Sequence, residues 1–269
     1  MSNSTIQMKL NEAFKSYSTL NAIEYGGVIL TYNELNNKSN HVANILKSQG
    51  ISRNSIIGVL LDDKIELIST IIGILKAGCI FMPLDPAYPV ERLKLMIASV
   101  NTSLLIVDKN NFGRLDNFLN EDNSCTFKYI LSDEDFKQKD NSRSDITEID
   151  YSSGDAIYIY FTSGTTGVPK AIVGMNKSLV HFVEWEAETF NIGREFRISQ
   201  FTSPGFDAFL RDVFVPLCFG GTICIPEKKE IILDTDSLIK WIDESGVNLI
   251  HCTPSIFKLF NKKGLTSNN

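Results

Sequence analysis

The residues best suited to chemistry in this chain lie between Ala156 and Lys170. An apolar stretch of strand character, 156–161, leads directly into Thr162-Ser163-Gly164-Thr165-Thr166-Gly167, followed by Val168, Pro169 and Lys170. Glycines let backbone N–H groups crowd around an anion, hydroxyls add short donors, and a lysine adds a point charge. Phosphate binding needs that composition. Lys170 follows Pro169 and precedes Ala171, so this is not a Walker A loop, which requires Gly-Lys-Ser/Thr. Nor is it the GxGxxG of a dinucleotide fold or the GxSxG of a hydrolase. On composition alone, a phosphate cradle and a plain polar loop between two strands both stay open.

Residue order narrows the choice. The segment resembles the signature loop of the adenylate-forming superfamily, which includes acyl-CoA synthetases, luciferases and the adenylation domains of nonribosomal peptide synthetases. That pattern reads Tyr-Thr-Ser-Gly-Ser/Thr-Thr-Gly-x-Pro-Lys-Gly. Here Phe161 stands for the tyrosine and Ala171 for the final glycine. Leu30-Thr31-Tyr32-Asn33-Glu34-Leu35 and the run 75–89 resemble the first two blocks of peptide-synthetase adenylation domains. Both read as scaffold, but Asp85-Pro86-Ala87-Tyr88-Pro89 is typical of the amino-acid-activating members. Phe206-Asp207-Ala208 resembles the family's Phe-Asp-x-Ser block, with Phe209 at the serine position.

The resemblance, which covers about 11–260, implies a set of roles. Thr162, Ser163, Gly164, Thr165, Thr166, Gly167 and Lys170 would hold the phosphates of ATP, with Lys170, Thr165 and Thr166 stabilising charge as pyrophosphate leaves. Phe206, Asp207, Ala208, Arg211 and His251 would line the substrate pocket, Asp207 taking the substrate ammonium. The bland alternative for Asp207 is helix capping. Asp-Ala-Arg-His at these pocket positions resembles the subset that activates acidic amino acids. A bidentate Arg211–carboxylate pair, helped by His251, would suit such a substrate. The competing reading pairs Arg211 with Asp212 or a surface acid, pointing away, and makes His251 a satisfied core histidine.

The implied reaction joins an amino acid to ATP, giving aminoacyl-AMP and pyrophosphate, with Mg²⁺ as the accompanying ion. Transfer to the phosphopantetheine thiol of a carrier protein would follow, so carrier proteins and other synthetase modules are the implied partners. An acyl-CoA ligase, a D-alanine–carrier-protein ligase and a non-catalytic nucleotide- or partner-binding piece are the alternatives. The family's Tyr-Gly-Pro-Thr-Glu block, whose glutamate would hold Mg²⁺, is not found in these 269 residues. Neither are the ribose-binding aspartate and the C-terminal domain with its second lysine. The chain therefore reads as the N-terminal part of a larger enzyme.

The elements that must position these residues are those of an ordinary globular α/β chain. A net charge of −6 without a recurring basic patch argues against nucleic acid. The longest apolar run, 67–77, is too short to span a bilayer, and the first residues lack a secretory signal. Five cysteines without CxxC spacing suit reduced thiols in the cytoplasm, and the three histidines lack metal-ligand spacing. Gly26-Gly27 predicts a β-hairpin turn, and Thr31-Tyr32-Asn33-Glu34 a capping box opening a helix. Beyond it, continuous apolar strands alternate with helices, and a strand is predicted over 247–252. The expected fold is two doubly wound, mostly parallel sheet units with flanking helices, the incomplete N-terminal subdomain of the adenylate-forming fold. The polar stretch 133–150 is expected to divide a first α/β unit, 1–150, from a second, 151–269, that carries the loop.

These 269 residues alone are expected to be inactive in amino-acid-dependent ATP–pyrophosphate exchange. Loss of one preorganised charge-stabilising group costs roughly 10²–10³ in rate, and several implied groups are missing. Robust exchange by the purified chain would refute this.

Overall fold

A computed structural model describes residues 4–121, 128–136, 150–162 and 169–261. In chain order the elements begin α1 (Ile6–Ser16), β1 (Asn21–Tyr25), β2 (Val28–Thr31), α2 (Tyr32–Ser48), β3 (Ile56–Leu60) and α3 (Lys64–Lys76). They continue with β4 (Ile80–Pro83), α4 (Val90–Ser99), β5 (Thr102–Val107), α5 (Lys109–Glu121), β6 (Lys128–Leu131) and α6 (Ser132–Asp135). After these come β7 (Ala156–Thr162), β8 (Lys170–Met175), α7 (Asn176–Phe190), β9 (Arg197–Ser199) and α8 (Ala208–Phe219). The last are β10 (Thr222–Ile225), α9 (Lys229–Leu233), α10 (Thr235–Ser245) and α11 (Pro254–Asn261).

Among the described residues the strands form two sheets, ordered β6-β5-β3-β4-β7-β8 and β2-β1-β10-β9. Each is parallel except for one antiparallel pair, β7/β8 in the first and β1/β2 in the second. The mixed α/β class with parallel-dominated sheets and flanking helices is thus as expected. Gly26 and Gly27 take φ of 57° and 77° at the predicted hairpin turn, the left-handed backbone that two-residue turns require.

The two compact units are interleaved along the chain instead of dividing at residue 150. One comprises Met1–Asn11, Glu34–His181 and Pro204–Asp207, and the other Glu12–Asn33, Phe182–Ser203 and Ala208–Asn269. The reason is strand pairing. β6 and β7 flank the polar stretch, yet both belong to the six-stranded sheet, so a change of composition there marks a connection within one sheet. The segment 247–252 also departs from its predicted strand. It makes a single parallel bridge, Ile198↔Leu249, before Pro254 opens α11.

The first unit buries Leu60, Met82, Leu93, Met96, Leu105, Val107 and Ile159 between sheet and helices. Its α2 and α3 touch closely: the Lys76 ammonium donates to Asn36 Oδ1 (2.5 Å), Ser39 Oγ (2.8 Å) and Asn40 Oδ1 (2.6 Å). Burial pushes the pKa of Lys76 down to about 7. In the second unit, buried Tyr32 donates its hydroxyl to the Gly221 carbonyl at 2.7 Å, with the Pro216 carbonyl at 3.2 Å. That bond secures the end of α8, whose interior Pro216 lacks an N–H.

A Cβ at Gly73 would lie 2.6 Å from Val42 Cβ and 2.8 Å from the Ser39 carbonyl oxygen. Gly73→Ala is therefore expected to destabilise the protein by about 1–3 kcal/mol through overpacking. The opposing gain in helix propensity is only about 1 kcal/mol. Urea denaturation measures the balance, and an unchanged or raised midpoint would contradict this packing.

Candidate functional site

In the first unit, β7 and β8 form the hairpin that brackets the glycine-rich loop. Thr162 at the end of β7 pairs in register with Lys170 at the start of β8. Lys170 is exposed. Ser163, Gly164, Thr165, Thr166 and Gly167 lie outside the described residues. The hairpin is seated tightly, since a Cβ at Gly174 on β8 would fall 1.9 Å or less from two atoms of the Tyr158 ring on β7.

The same unit carries Phe206 and Asp207 in the turn before α8, both exposed. Asp207 directly precedes α8, which begins at Ala208. It lies within electrostatic reach of β7: the Tyr158 phenol is pushed up by burial and then by the charge of Asp207. The turn rests on Tyr88, whose hydroxyl oxygen would sit 2.4 Å from a Cβ at Gly205. Tyr88 is fixed in turn by its own run. The Asp85 carboxylate accepts from Ala87 N (2.8 Å), Arg114 donates to the Pro86 and Tyr88 carbonyls (2.7 and 3.0 Å), and the Arg92 guanidinium stacks 4.1 Å from the Tyr88 ring centroid.

In the second unit, Ala208 is the first residue of α8 and half-buried, whereas Phe209, at the family's serine position, is fully buried core. One turn on, Arg211 directs Nε to Asp212 Oδ1 at 3.4 Å. The Arg211 side chain is 28% exposed, and its two terminal nitrogens make no hydrogen bond among the described residues. His251 donates Nε2–H to Glu186 Oε1 at 2.7 Å, while Nδ1 lies 3.2 Å from Asp212 Oδ1 without hydrogen-bond alignment. Asp212 is fully buried, and its Oδ2 lies 3.4 Å from the Thr202 backbone N–H.

Arg211 and His251 therefore meet at one carboxylate. The contacts of the bland reading, Arg211 with Asp212 and a partnered His251, are both present. They occupy only Nε of the guanidinium and leave its planar fork for another acceptor. Burial alone pushes the His251 imidazole down, but the Asp212 and Glu186 carboxylates outweigh burial and the opposing Arg211 charge, so its pKa is raised. The Cys252 thiol beside it is pushed up by burial, against the Arg211 charge.

A model of the AMP-binding enzyme family matches residues 10–268. The chain belongs to that family. It is 30% identical over 257 residues to gramicidin S synthase 2 of Brevibacillus brevis, covering 95% of this chain and 6% of that protein. The chain thus spans a small part of the length of such curated relatives. Its fold is similar to a nonribosomal peptide synthetase, FmoA3, with TM-score 0.85 and 21% identity over 99% of this chain and 27% of that one. VinN in complex with L-aspartate is comparable, with TM-score 0.83 and 21% identity over 97% of this chain and 70% of VinN. At such identities these structures bear on fold alone.

Sequence reasoning about this AMP-binding chain missed two acids. Asp212 stood only as a rival partner for Arg211, and Glu186 was not singled out. Glu186 did leave a signal: it is an acid within the stripe of Leu179, Val180, Val183 and Ala187 that α7 buries. Among the described residues no group of three or more His, Cys, Asp or Glu could hold a metal ion, and no helix is long and apolar enough to cross a membrane.

Because the folded-state pKa of His251 is raised, its contribution to stability is complete below the unfolded value. That contribution is lost as pH rises through the folded one. The stability gap between wild type and His251→Gln is expected to be widest near about pH 6 and to narrow toward about pH 9. Urea denaturation across that range measures it, and a gap that widens with pH would contradict the charged pairing.

Proposed function

We propose that this chain is the N-terminal part of an adenylation domain of a nonribosomal peptide synthetase and that its substrate is an acidic amino acid. In the first step a substrate carboxylate oxygen attacks the α-phosphorus of ATP, and the bond to the bridging oxygen breaks to release pyrophosphate. Backbone N–H groups of 163–167, the hydroxyls of Thr162, Ser163, Thr165 and Thr166, and the Lys170 ammonium offset the charge on the departing phosphates. Mg²⁺ accompanies ATP as part of that substrate. In the second step the phosphopantetheine thiol of a carrier protein attacks the acyl carbon and AMP leaves. The reading places this ATP-dependent ligase in the cytoplasm.

The observation that carries the substrate class is Arg211. A buried carboxylate, Asp212, engages its Nε, so the guanidinium is oriented while its terminal N–H fork has no hydrogen bond among the described residues. A planar fork fits a carboxylate with two parallel hydrogen bonds, and His251, its pKa raised, stands on the same anchor. By the family resemblance the α-ammonium falls to Asp207, an exposed carboxylate.

Amino-acid profiling of the complete enzyme by ATP–pyrophosphate exchange tests the reading. Aspartate- or glutamate-like substrates are expected to lead, and a clear preference for apolar or aromatic ones would refute it. Arg211→Ala is expected to lower kcat/KM for the acidic substrate roughly 10–100-fold, the worth of a charge-assisted pair, while residual activity on uncharged amino acids stays within a few-fold.

A further inference from the structure

We infer that Glu186 is a positioning residue for substrate selection: through Nε2 it holds His251 as an imidazolium behind Arg211, so that the pocket keeps its preference for an anion as pH rises. The inference rests on the acidic-substrate reading. Glu186 touches His251 and not the guanidinium, so it would act on recognition only through the imidazole.

The geometry explains why two acids are needed. Asp212 is shared between Nε of Arg211 and Nδ1 of His251, at 3.4 and 3.2 Å, and so neutralises at most one of the two cations. Glu186 supplies the second negative charge from α7, with a side chain only 3% exposed and Oε1 at 2.7 Å from Nε2. With His251 charged, the four side chains sum to zero. If the imidazole loses its proton, the group carries one net negative charge directly behind the Arg211 fork, which disfavours a substrate carboxylate. Burial favours that loss, as does the charge of Arg211, whereas the two acids oppose it. Without Glu186 the balance shifts toward the neutral ring.

Titration tells this role apart from mere structural support. Between about pH 6 and pH 8 neither the carboxylates nor the ammonium of an acidic amino acid titrates. KM for the acidic substrate should therefore follow His251, climbing by no more than about tenfold per pH unit, with kcat for the exchange little changed. Glu186→Gln keeps the size of the side chain and an oxygen acceptor while removing the charge. In the complete enzyme the ratio of KM at about pH 8 to KM at about pH 6 should be severalfold larger in E186Q than in wild type. NMR titration of the chain's three histidines gives a readout independent of substrate. His251, assigned by its loss in His251→Gln, should titrate above the ordinary imidazole value in wild type and lower in E186Q.

Equal KM ratios in a folded E186Q enzyme that accepts acidic substrates would overturn the role of Glu186 alone. A wild-type His251 titrating at or below the ordinary value would overturn it even if E186Q failed to fold. An enzyme that activates only uncharged amino acids would instead defeat the acidic-substrate reading, and the wild-type profile alone would show it.

Discussion

Asp212 is fully buried, and Arg211 and His251 meet at its carboxylate. A charge in the interior is tolerated only when paired, and removing one member of such a group leaves the rest uncompensated. This single acid therefore dictates much around it. Arg211 keeps Nε on Asp212, His251 stands beside the same carboxylate, and Glu186 on α7 meets His251 at Nε2. On the acidic-substrate reading, the guanidinium fork is oriented before the substrate arrives. Preorganisation of this kind costs stability in the free protein and lowers the entropy lost on binding.

The scaffold does corresponding work elsewhere. In the first unit, the hairpin β7/β8 fixes where the glycine-rich loop leaves and returns, with Thr162 opposite Lys170. Asp85-Pro86-Ala87-Tyr88-Pro89 holds Tyr88 against Gly205, directly before Phe206 and Asp207. The run that marks amino-acid activation by resemblance thus has a mechanical part in this chain, as support for the turn bearing the ammonium-binding candidate. Tyr32 plays a similar part in the second unit by satisfying the carbonyl at Gly221 after α8.

Local features were the legible ones. The Gly26-Gly27 hairpin, α2 opening at Tyr32, and the alternation of apolar strands with helices all follow from short-range pattern. The division into units did not. Polar residues at 133–150 gave no sign that the next strand would return to the same sheet, because strand neighbourhood is decided by long-range pairing that composition does not encode. The extended segment before His251 likewise carried strand-like residues but found only one bridging partner. At the site, Arg211 and His251 were legible as types at telling positions. Their meeting at Asp212, and the supply of Glu186 from α7, required three segments distant in sequence to be brought together.

The most direct test of the account is Asp212→Asn in the complete enzyme, an exchange of equal size that removes the shared charge. KM for the acidic amino acid in ATP–pyrophosphate exchange is expected to rise about tenfold or more, as when a charged hydrogen-bond anchor is lost, while circular dichroism shows a native fold. A folded Asp212→Asn enzyme whose KM for that substrate matches wild type would contradict it.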